Sequence, residues 1–426
     1  MVDQLNIHEK IITHLNRDYT EPIRDPLWSN IYLSPPLKEL TRKKPFQDLG
    51  RIMQLGPTFH VYPGATHTRL NHSLGVFHLS KRIITRMLMH PDCPTLSLEG
   101  VKSFLAASLL HDLGHFPYTH SLKELPLKEH ELLAGEAILE SPMKDCLTKD
   151  LGVDPGMVAA IIDEGMKAPD SETRFYRRIL SGVLDPDKLD YMNRDAYFCG
   201  VPYGIQDTDF VISKMVPHKG SIALDYQGIP AVENILFSKY LMYRTVYWHK
   251  VVRIATAMIK KAIYFGLQED CIQPEDLYGL TDQDLSTIYG KKIFPYSRLV
   301  RGVANRDLYK MVYEVDFDGT NRNHMSILGL EARFQKEQEI AALLSTKRKK
   351  ITGEDIIIDI PEQISFSIDM PVIQNGKEIP FAQSPSVFTP PVVNSFTRSL
   401  RKIRLVVNSD IADSFKKPEE LLGWKV

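Results

Sequence analysis

An apolar run at helical spacing that ends on an ionisable pair limits this chain more than any other feature. Val101, Phe104, Leu105, Ser108 and Leu109 follow the i, i+3, i+4, i+7, i+8 pattern of a helix with one face on a core. His111 falls seven residues after Phe104 and Asp112 seven after Leu105, so the pair extends the buried stripe. A lone buried carboxylate is costly unless it is paired, protonated or bound to a cation. Gly114 then breaks the helix, and His115, Pro117 and His120 follow in a turn beside the pair. Such a helix needs other helices to cover it and a positive charge to balance it, which predicts a mainly α protein built around a polar centre.

Composition narrows the partners. Lys+Arg 52 against Asp+Glu 53 leaves a net charge of -1, so no global basic field draws the chain to nucleic acid, and any polyanion site is local. Cys93, Cys146, Cys199 and Cys271 stand far apart with no CxxC pair and read as reduced thiols. The opening residues lack the apolar run of a signal peptide, and no stretch approaches the roughly 20 apolar residues of a membrane span. The expectation is a cytoplasmic protein without a membrane partner.

At 426 residues, the prior of roughly 150 residues per domain gives two or three units. Residues 1–44 read as an N-terminal arm or hairpin around Ile31, Tyr32 and Leu33; 45–270 as a helical catalytic domain; and 271–426 as an α+β region. Within these, Ile235 to Phe265 reads as one long helical tract, 354–360 and 363–370 as strands, and the Pro- and Ser-rich stretch 382–396 as an exposed loop.

Three further stretches carry chemistry. His72, Val76, Leu79 and Ile83 share a helix face, with Arg69 one turn before them. Asp185 has the marks of an N-cap, followed by Pro186 and Asp187, and Asp187, Tyr191, Arg194 and Asp195 share a face beside Lys188 and Asp190. Lys239, Tyr243 and Tyr247 line up at i+4 intervals, with Lys250 near the same side, as cations and rings that could hold a phosphorylated ligand. Each has a plainer reading: a neutral core histidine, acids that offset a helix dipole, a solvated lysine flank. Two imidazoles and two carboxylates on separate helices suit one divalent ion, with Mg, Mn, Fe, Zn and Ni undistinguished. Spacing alone leaves Asp185 and Asp187 as rival ligands.

The segments RIMQLGPTFHVYPGATHTRLNHSLGV, LLHDLGHFPYTHSL, EHELLAGEAIL, LDPDKLDYMNRD and YRTVYWHK, over about residues 45 to 260, resemble the HD-domain metal-dependent phosphohydrolases, in particular their deoxynucleoside triphosphate triphosphohydrolase branch. The resemblance implies an HD-type helical fold with metal ligands at His72, His111, Asp112 and Asp187, which selects Asp187 over Asp185. It implies that His115 and His130 act on the scissile phosphate. Arg69, Lys188, Tyr191, Asp195, Lys239 and Tyr247 match positions that hold triphosphate and sugar, and Gln54 with Leu55 match a sugar-sensing turn. The chain departs from the pattern with Lys123 before Glu124 where relatives often place an acid, with Lys239 where some use arginine, and with Trp28-Ser29 where relatives commonly have His-Gly. The expected activity is hydrolysis of nucleoside triphosphates, most readily a dNTP to deoxynucleoside and triphosphate. The rivals are an HD phosphohydrolase on nucleoside monophosphates, cyclic nucleotides or other phosphoesters, and a non-catalytic nucleotide sensor or nucleic-acid-binding scaffold. A nucleotide effector and a homo-dimer or homo-tetramer are further implications of the likeness.

Overall fold

The structure, a computed structural model, describes residues 2–347, 349–366 and 368–424. Helix takes 56% of the chain and strand 11%, so the mainly α expectation holds. Two helices build the centre of the largest core. Arg69–Leu88 starts in a reciprocal cap in which Asn71 Oδ1 accepts the Thr68 backbone N–H at 3.0 Å, and its inward face carries His72, Val76, Leu79 and Ile83, all buried. Leu98–Leu110 is capped by Ser97, whose Oγ accepts the Gly100 N–H at 2.9 Å, and ends immediately before His111. A third helix, Pro186–Cys199, packs on the first; Asp185 Oδ1 caps it by accepting the Lys188 N–H at 2.6 Å, and Gly200 closes it at φ 68°.

The expected hairpin is present: β1 (Glu21–Asp25) pairs antiparallel with β2 (Ser29–Leu33), Asp25 facing Ser29. A second hairpin, β3 (Met215–His218) and β4 (Ser221–Asp225), interrupts the helical part. Its Lys219-Gly220 turn has positive φ at both residues, 48° and 71°, as a two-residue hairpin requires. On either side of the helix Leu330–Leu344, β5 (Lys310–Asp316) before it and β6 (Ile356–Asp359) and β9 (Lys402–Val407) after it form an antiparallel sheet in the order β5-β9-β6. β7 (Pro371–Gln374) lies parallel to β4, Leu224 opposite Val372, and turns back into β8 (Lys377–Pro380). Strand pairing therefore crosses the expected boundary at 270/271, and Val372 and Phe381 join the main core.

Three element expectations are corrected. The tract Ile235 to Phe265 is two helices, Ile229–Met242 and Lys250–Gln268, divided by a π-type turn at Tyr243–Tyr247. The stretch 363–370, apart from residue 367, which lies outside the described residues, forms neither strand nor helix; Phe366 instead packs with Leu236, Phe388 and Leu400. Residues 390–396 of the proline-rich stretch belong to a helix, Pro390–Leu400, since Pro390 and Pro391 stand in its first turn, where a missing N–H costs nothing. Among the described residues no helix is long and apolar enough to cross a membrane, and the four cysteines are free thiols.

Candidate metal centre and cavity

The three helices converge on one point. His72 Nε2 lies 2.8 Å from Asp187 Oδ1, His111 Nε2 lies 3.9 Å from the same oxygen, and Asp112 reaches His111 Nε2 with Oδ1 at 3.3 Å and His72 Nε2 with Oδ2 at 4.0 Å. Asp185 is not drawn in. Its carboxylate is occupied by the Lys188 backbone N–H and ammonium, so of the two rivals only Asp187 places an oxygen beside His72 and His111.

The two imidazoles are turned so that their ε nitrogens face the carboxylates. His72 Nδ1 is 2.8 Å from Asp190 Oδ2, and His111 Nδ1 is 3.0 Å from the Ser108 carbonyl, so the protons belong on the δ nitrogens. His111 Nε2 is then buried with no hydrogen-bond partner. A buried lone pair beside two carboxylates fits a bound cation and is otherwise costly. The local charge points the same way. Burial alone would push the His72 imidazole down, yet hydrogen bonds to Asp187 and Asp190 and the charge of Asp112 lift it to about 10. Burial likewise opposes ionisation of Asp112, but His115, His111 and Arg69 hold it well below the usual carboxylate range. The centre therefore draws positive charge.

The centre opens into a cavity of about 600 Å³, within the range of small-ligand sites. Arg69, Gln54, Leu55, Tyr191, Asp195 and Tyr247 line it, as do His111, Asp112, Asp187, His115 and His130. Arg69 Nη1 donates to Asp112 Oδ2 at 3.0 Å. Asp195 sits between His67 Nε2 at 2.8 Å and the Tyr247 hydroxyl at 2.7 Å, and Gln54 Oε1 is buried without a partner. Tyr243 and Tyr247 reach the cavity from the π-type turn, their ring centroids 4.9 Å apart.

His115, His120 and His130 form a second imidazole group. Their near ring nitrogens lie within 4.8 Å of one another, and His115 Nε2 is 3.1 Å from His120 Nε2. Gly114 makes this meeting possible: a Cβ there would stand 2.0 Å from the His130 carbonyl oxygen, so only glycine lets the helix His130–Leu139 come so close to the turn. Burial, then the Arg69 charge, lowers His115 to about 4; burial, then His115, lowers His120 well below its usual value and His130 to about 2. All three are therefore held toward the neutral form. The acid beside His115 is Asp112, 3.1 Å away, and His130 Nδ1 is 3.0 Å from Glu131 Oε2 without hydrogen-bond alignment. Glu124 supports neither histidine, because Lys260 and Arg333 hold it.

Lys188 and Lys239 do not line the cavity. Lys188 Nζ donates to the Gly182 carbonyl at 3.0 Å and to Asp185. Lys239 Nζ donates to the Ser365 carbonyl at 2.8 Å and lies 5.3 Å from the centre of the Phe366 ring. The regular i+4 stripe fails because the π-type turn redirects the two tyrosines toward the cavity while Lys239, a turn earlier, reaches the 361–366 segment. The cations that do line it beside Arg69 are Lys123, Arg253 and Lys260. Arg253 and Lys260 were invisible in sequence because they sit on a helix whose apolar pattern reads simply as core. His120 and Asp190 stood beside the expected residues without an assigned role.

A helical protein with an ionisable His-Asp pair at the end of a buried helix, and its carboxylate partners on neighbouring helices, is the class that fold and site define. Residues 206–390 match the family described as the HD associated region. An uncharacterized protein of Methanocaldococcus jannaschii is 30% identical over 79% of this chain and 68% of its own, and an uncharacterized protein of Bacillus subtilis is 34% identical over 58% and 55%. The deoxynucleoside triphosphate triphosphohydrolase SAMHD1 of Bos taurus is 26% identical over 84% of this chain and 69% of its own. A hypothetical protein from Aquifex aeolicus superposes with a TM-score of 0.71 at 25% identity, covering 92% of this chain and 98% of that one. A phosphohydrolase from Bacteroides thetaiotaomicron superposes with a TM-score of 0.68 at 23% identity, covering 91% and 99%, and so shares the fold. The chain belongs to the HD-domain family and resembles its deoxynucleoside triphosphate triphosphohydrolases. It spans little more than half of the Bacillus subtilis relative.

Proposed function

We propose that the protein is a metal-dependent phosphohydrolase that splits nucleoside triphosphates, with a dNTP as substrate and deoxynucleoside and triphosphate as products. The observation that carries this reading is the convergence of His72 and His111, each with its Nδ1 anchored, on Asp187 and Asp112 at the floor of a cavity holding three neutral imidazoles. His72, His111, Asp112 and Asp187 would hold one divalent ion. Such an ion would polarise a phosphoryl oxygen and offset the charge that develops on it. Arg69, already facing that point, binds the phosphate charge. His115 and His130 move the proton at the scissile bond, His115 supported by Asp112 and passing charge to His120 across their 3.1 Å contact. Tyr191, Tyr247 and Gln54 enclose the nucleoside, while Asp195 braces Tyr247. Support for a triphosphate over a smaller phosphoester comes from Arg69 and the relatives, since Lys188 and Lys239 are engaged elsewhere. The test is release of inorganic triphosphate from a panel of deoxynucleotides and ribonucleotides. Release of orthophosphate or pyrophosphate alone, or turnover only of monophosphates, would refute the reading.

A further inference from the structure

Four donors converge on the carboxylate of Asp190, which is wholly buried and lies outside the cavity lining. Oδ2 is 2.8 Å from His72 Nδ1 and accepts Arg194 Nε at 2.8 Å; Oδ1 accepts Arg194 Nη2 at 3.0 Å and the Trp28 indole N–H at 2.5 Å. Arg194, itself 0% exposed, gives its remaining Nη1 to Asp25 Oδ2 at 2.8 Å. The other oxygen of Asp25 accepts the backbone N–H groups of Leu27 at 2.9 Å and Trp28 at 2.8 Å, which shapes the turn between β1 and β2. The indole stacks on His78, ring centroids 5.8 Å apart, so its N–H edge is aimed at Asp190 rather than left to rotate. Next to it Ser29 holds φ 63°, a left-handed conformation that a residue with a Cβ keeps only where its surroundings fix the turn.

We propose that Trp28 and Asp25 are positioning residues of the metal centre, setting the tautomer and orientation of His72 from the N-terminal hairpin through Asp190 and Arg194. The inference rests on the reading of His72 as a ligand. An imidazole that ligates through Nε2 carries its proton on Nδ1, and the acceptor of that proton decides both the tautomer and the ring angle. Asp190 is that acceptor, and its own angle is set by Arg194 and by the indole N–H. Removing the indole donor leaves Oδ1 with Arg194 alone and lets the carboxylate turn away from His72. Removing the charge of Asp25 frees one arm of the guanidinium that clamps it.

Trp28→Phe deletes the N–H and keeps an aromatic ring on His78; Asp25→Asn deletes the charge; Arg24→Ala changes an exposed residue of the same strand that contacts Asn30 and not the network. Two quantities are read: the dissociation constant for Mn²⁺ by calorimetric titration, and the ring ¹⁵N shifts of His72 in metal-free, histidine-labelled protein. Trp28→Phe and Asp25→Asn should each weaken Mn²⁺ binding about tenfold, the lower end of what an outer partner of a metal-bound histidine is worth, and should shift the Nδ1 resonance. Arg24→Ala should move neither. Unchanged affinity and ¹⁵N shifts in Trp28→Phe would overturn the proposal, as would an equal loss in Arg24→Ala, which would mean that only hairpin stability matters. Should Asp25→Asn fail to fold, Trp28→Phe decides alone. Absence of Mn²⁺ binding by the unaltered protein would instead refute the ligand role of His72, and the ¹⁵N comparison would still judge the link from Trp28 to the imidazole.

Discussion

Gly75→Ala is the smallest change that should damage both the fold and the metal centre. Gly75 lies on the helix Arg69–Leu88 three residues after His72, and a Cβ there would stand 1.9 Å from Asp190 Oδ1 and 2.5 Å from Arg194 Nη2. Real Cβ contacts essentially never fall under 3.0 Å, so the carboxylate must retreat by about 1.1 Å or the two helices must part. The bonds that Asp190 makes to His72 and Arg194 span 2.8 to 3.0 Å, and lengthening one by that amount takes it past any hydrogen-bond distance. A hydrogen bond to a charged group is worth about 1.5–3 kcal/mol, and breaking a buried ion pair costs about 3–5 kcal/mol. Loss of one or two of the four bonds on Asp190 therefore predicts a destabilisation of about 3–5 kcal/mol. Urea unfolding followed by tryptophan fluorescence and far-ultraviolet dichroism measures it, with equal slopes for both proteins as the condition for comparison. A destabilisation below about 1 kcal/mol would show that the helices relax around the methyl group and that Asp190 is not rigidly clamped.

The other predictions concern the chemistry and the pH response. Asp187→Ala should abolish bound metal and activity while the fold persists; full metal content by elemental analysis would return the ligand role to Asp185 or remove the site. His115→Ala and His130→Ala should keep metal and nucleotide binding and lower turnover about a hundredfold or more, the usual scale for lost acid-base help, and normal turnover in both would remove them from the chemical step. Arg69→Ala should weaken binding of triphosphates more than of monophosphates, since the lost cation faces more anionic charge in the former; equal losses would contradict a phosphate role. Asp282, raised by burial from 3.8 to about 6 although the Met53 N–H favours its charge, binds a proton more tightly folded than unfolded. Its stability contribution is complete below about pH 3.8 and is lost as pH rises through 6, so Asp282→Asn should flatten the stability profile in that window, and an unaltered profile would count against the assignment.

What could be read from sequence follows from which signals are local. The inward stripe of His72, Val76, Leu79 and Ile83 and the stripe ending on His111-Asp112 needed only the helical period, and all but the half-buried His111 are buried. The hairpin at 21–33 announced itself through its prolines and β-branched residues. The β3–β4 hairpin was missed because Lys219-Gly220 is a weaker turn signal than the nearby helical texture, and β7 because its parallel partner lies about 150 residues earlier. The failure of the lysine stripe has the same kind of cause: i+4 spacing assumes an unbroken helix, and the π-type turn at Tyr243–Tyr247 adds a residue to it. No local rule pairs Lys239 with the Ser365 carbonyl across more than a hundred residues.

Five histidines meet within this region, and their division of labour follows from what holds each ring rather than from where each falls in the chain. His72 and His111 have acceptors fixed on their δ nitrogens, a carboxylate for one and a backbone carbonyl for the other, so with a cation bound each would present an ε lone pair in a set direction. That suits a group that must stay still and bind a cation. His120 and His130 contact other imidazoles, and Glu131, 3.0 Å from His130 Nδ1, is poorly aligned for a hydrogen bond to it. His115 stands between the sets, 3.1 Å from Asp112 on one side and 3.1 Å from His120 on the other. Each nitrogen of that neutral ring thus has a proton partner, Asp112 for Nδ1 and His120 for Nε2, the arrangement of a group that relays a proton rather than storing one. Asp112 touches both groups: its carboxylate lies 3.3 Å from His111 Nε2 and 3.1 Å from His115 Nδ1. Its substitution should therefore reach both groups, whereas loss of Asp190 should reach His72 alone of the five, besides the stability that its bonds to Arg194 and Trp28 supply.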